Sequence, residues 1–159
     1  MLSPLPHKIF NQQFWLTGDR TLYWEEERSL IVSDLHFGKT GHFRKSGIAV
    51  PQSVYREDLQ RLVVQIQHFR PGRLVIVGDM FHSHANLELE LFLKWRTDLP
   101  DLEMQLVRGN HDILQDEWYA RAGIKLNQAS LSMNRFRFVH DISSMETGDR
   151  NTGKKAADP

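Results

Sequence analysis

Four apolar, β-branched-rich runs, at 29–33, 73–77, 104–107 and 136–139, constrain this chain more than any other feature, because each ends in a short motif of ligand-type side chains. The motifs are Asp34-Leu35-His36, Gly78-Asp79, Gly109-Asn110-His111-Asp112 and His140-Asp141. Runs of this kind read as buried strands. The motifs therefore sit at the carboxyl ends of strands, where open α/β sheets place their sites. Asp34 and Asp79 are 45 positions apart, Asp79 and Asn110 are 31 apart, and Asn110 and His140 are 30 apart. A strand, a crossover helix and the next parallel strand need roughly 30 residues, so each interval holds one such unit.

The segments between agree. Apolar Leu59, Leu62, Val63, Ile66 and Phe69 recur at helical spacing after Pro51, and Pro71-Gly72 ends that helix. A second helix is expected over 86–98, with Asn86 as its cap and Leu87, Leu91 and Trp95 facing in, and a third over 115–122. Segments 14–16 and 21–24 flank Thr17-Gly18-Asp19-Arg20 as a hairpin, and 130–133 and 136–139 flank Asn134-Arg135 as another. The order β-β-β-α-β-α-β-α-β-β predicts a single-domain, three-layered α/β fold over 1–159, with 142–159 a polar, linker-like tail. Glu25-Glu26-Glu27 reads as a solvated turn, and Trp15, Trp24, Trp95 and Trp118 as core or rim packing.

Composition narrows the function classes. With 20 basic and 20 acidic residues there is no global field to gather nucleic acid, which leaves only a local patch for that role. Such a patch exists: from Leu35 to Arg56 there is no acidic residue, while Lys39, Arg44 and Lys45 surround Phe43. A cationic loop with an aromatic suits a polynucleotide backbone and a stacked base, although so few charges also describe an ordinary solvated loop. The absence of cysteine excludes thiolate metal sites and disulfides and fits a reducing compartment. No stretch approaches the roughly 20 apolar residues of a membrane span and no signal pattern opens the chain, so a bacterial cytoplasm is expected.

Carboxylate, imidazole and amide oxygen together suit Mn²⁺, Fe or Zn²⁺ and are too nitrogen-rich for a Ca²⁺ cage. Asp34 and His36 alternate with Leu35, so an extended backbone would point them to one side. Taken singly, each motif also has an ordinary reading. Asp79 would cap a helix, Gly109-Asn110 would make a turn, and His140 would be a structural histidine. Four in order on four strand ends favour a two-metal hydrolase.

Together these motifs resemble the signature of the calcineurin-like metallophosphoesterase superfamily. The stretches 33–39 and 43–51 resemble a narrower group within it, the ligase-associated DNA damage response endonucleases of bacteria. The resemblance runs from about Tyr23 to Asp141. It implies an αββα sandwich holding two divalent metal ions, Mn²⁺ foremost, with Fe or Zn²⁺ as alternatives. Asp34, His36, Asp79, Asn110 and His140 would be the ligands, with Asp79 bridging. His111 would contact the scissile phosphate and assist the leaving oxygen, with Asp112 orienting its ring. Gly78-Asp79-Met80-Phe81-His82 resembles the form seen in DNA repair nucleases, so His82 joins Lys39, Arg44 and Lys45 as a substrate contact, while His84 either shares that role or is solvated. The implied partners are DNA and, in the same repair system, a ligase, a helicase and an exonuclease.

One departure matters. The superfamily closes its site with a Gly-His-x-His motif, and 141–159 contains no histidine. An N-terminal fragment with an incomplete second sheet is therefore expected. A phosphodiesterase for a small nucleotide or lipid precursor, or a catalytically silent binding module, remain the alternatives.

Overall fold

The computed structural model describes residues 3–37, 53–81 and 86–145, with side chains over 3–37, 59–81 and 89–143. In chain order the elements are β1 (Leu5–Ile9), β2 (Gln12–Leu16), β3 (Thr21–Trp24), β4 (Ser29–Ser33), α1 (Ser53–Phe69), β5 (Arg73–Val77) and α2 (Asn86–Thr97). Next come β6 (Glu103–Val107), α3 (Asp116–Arg121), β7 (Ile124–Asn127), β8 (Ser130–Met133), β9 (Phe136–Val139) and a 3₁₀ turn (Ile142–Met145). Strands β1 to β7 form one sheet in sequential order, while β8 and β9 form a separate antiparallel pair. The β1–β4 pairings are antiparallel and the β4–β7 pairings parallel.

Side-chain alternation along the central strands sorts the core into two layers. Leu30, Val32, Leu74, Ile76, Met104 and Leu106 face the helices and pack with Leu62, Phe92 and Tyr119. Ile31 and Val75 face the other way and pack with Phe14, Trp24 and Met133, flanked by Leu131, Phe136 and Phe138 of the hairpin. Phe136 meets Phe14 and Trp24 edge-on, with ring centroids 5.2 and 5.0 Å apart. Helices, main sheet and hairpin thus make the three layers. The fold is the layered α/β arrangement expected, and its second sheet has two strands among the described residues.

The sequence reading missed β1 and β7. Every residue of β1 is exposed, so an edge strand carrying Pro6 and Lys8 lacks the alternation that marks a half-buried one. Strand β7 offers only Ile124 and Leu126 to the core, too short a run to register. In α2 the expected inward face needs correction: Leu91 is exposed, and Leu89 and Phe92 are buried instead, with Leu93 and Trp95 beside them. Trp95 packs on the core as expected and the side chain of Leu87 lies outside the described residues, so only Leu91 is displaced, the 89-92-93 set following the 3.6-residue period. The acidic turn is also more than solvated, since the Trp15 indole N–H donates to Glu25 at 2.7 Å and the Gln13 N–H to Glu26 at 2.9 Å.

Candidate metal centre

The in-register parallel ladder ends at Ser33, Val77 and Val107, so the motif residues emerge side by side at one edge of the sheet. The first two loops are laced together beyond the strands. The His36 N–H donates to Asp79 O and the Phe37 N–H to Met80 O, both at 2.8 Å. Asp34, His36 and Asp79 are all left-handed, with φ of 51°, 46° and 48°. The extended arrangement expected for Asp34 and His36 is therefore replaced by a kinked one. Such backbone is sparsely populated for residues with a Cβ and persists where the surroundings impose it.

Asp34, Asp79 and His140 converge, offering ligand atoms that all lie within 4.8 Å of one another. His140 Nε2 is 3.5 Å from Asp79 Oδ1, and its Nδ1 is 4.0 Å from Asp34 Oδ1. Asp79 is buried and Asp34 half exposed, so the group opens to solvent on one side. Two glycines make the approach possible. A Cβ on Gly78 would lie 1.8 Å from His140 Nδ1, and one on Gly109 would lie 2.3 Å from both Asp79 N and Asp79 Oδ1. Two carboxylates and an imidazole at this spacing form a donor set that fits a divalent transition metal.

Of the other described candidates, His36 does not join the converging group, and Asn110, His111 and Asp112 share the third motif loop. The His111 N–H donates to Asp79 Oδ1 at 3.0 Å, and the His111 ring stands edge-on to His36 with centroids 5.8 Å apart. Asn110 and His111 are exposed on the same loop. Asp112 is buried and its oxygens meet main chain: Oδ1 accepts from Met80 N at 2.9 Å and Phe81 N at 3.2 Å, and Oδ2 accepts from Gly109 N at 2.9 Å. Burial raises its carboxyl above the usual range, the three N–H donors oppose that rise, and the Asp79 charge adds to it. Asp112 thus clamps the second motif loop to the third, a role that spacing alone did not disclose. His82, His84, Lys39, Arg44 and Lys45 lie outside the described residues.

Arg108 was also invisible to motif reading, with only its position before Gly109 as a signal. Its guanidinium donates to Asp116 Oδ1 at 2.6 Å, Gln128 Oε1 at 3.0 Å and Leu114 O at 3.2 Å, which ties the start of the third motif to α3 and the end of β7.

A profile of the calcineurin-like phosphoesterase family matches residues 28–154. No curated protein matches the chain. Among solved structures, the crystal structure of Pseudomonas putida nuclease MPE is similar, with a TM-score of 0.71 and 27% identity over 84% of this chain. The chain spans 64% of that nuclease. With its four motifs on four strand ends and most of its length inside the family profile, the chain belongs to the calcineurin-like phosphoesterase family.

Proposed function

We propose that this chain hydrolyses phosphodiester bonds in DNA as a Mn²⁺-dependent endonuclease acting in DNA damage response. The observation that carries this reading is the convergence of Asp34, Asp79 and His140 at the strand ends, beside an exposed His111. The likeness to a bacterial nuclease supports the polynucleotide substrate.

Asp34, Asp79 and His140 would hold the metals, joined by His36 and Asn110 from the same loops. Metals bound there would draw negative charge off the phosphate and lower the pKa of an attacking water towards neutrality. The chain supplies the rest. Gly78 and Gly109 let the ligand loops close to contact distance. Asp112 fixes the two loops against each other through main-chain N–H groups. His111, anchored through its N–H to Asp79, presents its imidazole to the leaving oxygen as proton donor.

The test is Mn²⁺-dependent hydrolysis of bis-p-nitrophenyl phosphate and nicking of supercoiled plasmid, with Asp79→Ala as control. Turnover on both that falls on the order of a thousandfold with the substitution is the expected result. Hydrolysis of the small ester without any nicking would remove the endonuclease assignment. Turnover that survives Asp79→Ala would remove the site.

A further inference from the structure

We propose that the cleft between the β1–β2 turn and the β8–β9 turn binds one nucleotide unit of a single-stranded polynucleotide, its base stacked on Phe10 and its phosphate held by Arg135, with Lys8 adding to the local charge. The inference rests on the polynucleotide substrate proposed above and names a second place where the chain grips it. Phe10 and Asn11 join β1 to β2, and Asn134 and Arg135 join β8 to β9. The Phe10 and Phe136 rings, with centroids 6.1 Å apart, bring the two turns together. Between them opens a cleft of about 590 Å³, lined by Lys8, Phe10, Asn11, Gln12, Asn134 and Arg135. That volume lies within the roughly 300–1,000 Å³ of small-molecule sites. Phe14 pairs with Trp24 and Trp24 with Ser29, so the cleft sits at the amino end of β4, whereas the metal motifs lie at its carboxyl end. From Arg135 to His140 the chain runs along β9, about 16 Å at about 3.3 Å per residue. An oligonucleotide can reach both places and a simple diester cannot.

Phe10 is the residue that ordinary packing leaves unexplained. It is 67% exposed, and its backbone is left-handed at φ 48°. Two-residue hairpin turns of this kind favour Asn and Gly at their central positions. Asn11, at φ 62°, fits that preference, whereas a bulky ring beside it is an outlier. Beyond its contact with Phe136 the ring gains little from burial, and strain of this sort concentrates at ligand sites. A base within a duplex is already stacked on its neighbours. An unpaired base has a free face to lay on an exposed ring.

The charges favour an anion. No carboxylate lines the cleft, and Lys8 and Arg135 are both cationic. Among the described residues neither of the two is ion-paired. The acidic turn at the same end of the sheet is engaged elsewhere. Glu25 accepts from the Trp15 indole N–H, Glu26 accepts from the Gln13 N–H, and Glu27 pairs with Arg73 at 3.8 Å. A guanidinium fork matches phosphate oxygens in geometry as well as sign. Asn11, Gln12 and Asn134 add amides, which donate and accept as base edges require. Gln12 is held in place, its Oε1 accepting from the Trp24 indole N–H at 3.0 Å. Because the whole chain carries no net charge, attraction to a polyanion has to come from local groupings such as this one.

The probe is fluorescent oligothymidylate, its binding monitored by anisotropy with Ca²⁺ in place of Mn²⁺. F10A and F10L should each weaken binding about tenfold, as the loss of one stacked base does, and F10Y should retain it. R135Q should flatten the salt slope by about 0.7, the value for one lost contact to a single strand, and R135K should restore it. A duplex of the same length should bind with an affinity that F10A leaves unchanged. With Mn²⁺, every variant should turn over bis-p-nitrophenyl phosphate as the parent does. Unchanged oligothymidylate affinity in F10A and R135Q, or a loss in F10Y as large as in F10L, would overturn the cleft, and intact turnover of the simple diester would leave the hydrolytic reading standing. Ring-dependent binding by a chain that turns over no phosphodiester would overturn the hydrolytic reading and uphold the cleft.

Discussion

Gly78 and His140 meet so closely that a single added β-carbon on the glycine would lie 1.8 Å from the imidazole Nδ1. The contact joins the main sheet to the hairpin layer at the metal trio. Gly78→Ala should therefore push His140 off Asp79 and weaken Mn²⁺ binding at least about tenfold by calorimetry. The left-handed φ of 75° at Gly78 adds about 1 kcal/mol of strain. A variant that is destabilised by that amount yet binds metal as tightly as its parent would contradict the role given to this contact.

Asp112→Asn keeps the side-chain shape and removes the charge that three main-chain N–H groups point at. An amide offers one acceptor oxygen where the carboxylate offers two. At least one buried N–H is then left over, at a cost of about 2–3 kcal/mol in urea unfolding. Turnover should drop with stability, because the loops that carry Asp79 and Asn110 lose their common anchor. Wild-type stability in this variant would argue against the clamp.

Phe136→Ala tests the layer that carries His140. Phe136 packs edge-on against Phe14 and Trp24, and its removal should cost about 2–3 kcal/mol for a half-buried ring. Metal affinity should fall with it, while Phe69→Ala, which removes the stack on Tyr23 across the sheet, should lower stability with little change in metal affinity. Equal effects on metal binding from both would show that the hairpin has no special part in the site.

A pH-dependent contribution is expected from Glu103, paired with Arg73 at 3.0 Å across neighbouring strands. Partial burial is the largest single influence and raises its pKa, but the bonds from Arg73 and Gln105 and the charges of Arg73 and Lys125 outweigh it and leave the carboxyl lowered. A lowered folded pKa means that the stabilisation is complete above the unfolded value of about 4.3 and is lost as pH falls through the folded one. The pair is substantially exposed, so the effect is on the order of 0.5 kcal/mol. Glu103→Gln should be less stable than the parent by that amount at pH 7 and equal to it in strong acid. A gap that persists in acid would rule out the charge as its source.

The ladder of strand-end motifs was legible because parallel strands buried on both faces are continuous apolar runs, and because the parallel register then brings the residues after each run to one edge of the sheet. The segments 29–33 and 73–77 became parallel strands with those limits, whereas 136–139 kept its limits but became a strand of the antiparallel hairpin, outside the parallel register expected for the segment before His140. Local geometry was not legible. Nothing in Asp34-Leu35-His36 announces a left-handed backbone at both ends, since that conformation is imposed by hydrogen bonds to Gly78 and Asp79 from a strand 45 positions away. The clamp at Asp112 and the braces at Arg108 were hidden for the same reason, each depending on partners that only the assembled sheet supplies. Leu91 was misplaced because an apolar residue on a helix margin satisfies the same spacing as one on its inner face.

His140 is delivered by β9, half of a two-stranded sheet, whereas Asp34 and Asp79 are delivered by the seven-stranded one. An isolated two-stranded hairpin is marginal in water, so β8–β9 owes its persistence to docking on the aromatic face. The three converging candidate ligands are consequently together only while the hairpin and the main sheet stay in contact. Local undocking would release metal well before global unfolding, and saturating metal would slow exchange of the β8–β9 amides more than those of β5 and β6. Ion occupancy in this protein is, in that sense, a gauge of the seam between its layers.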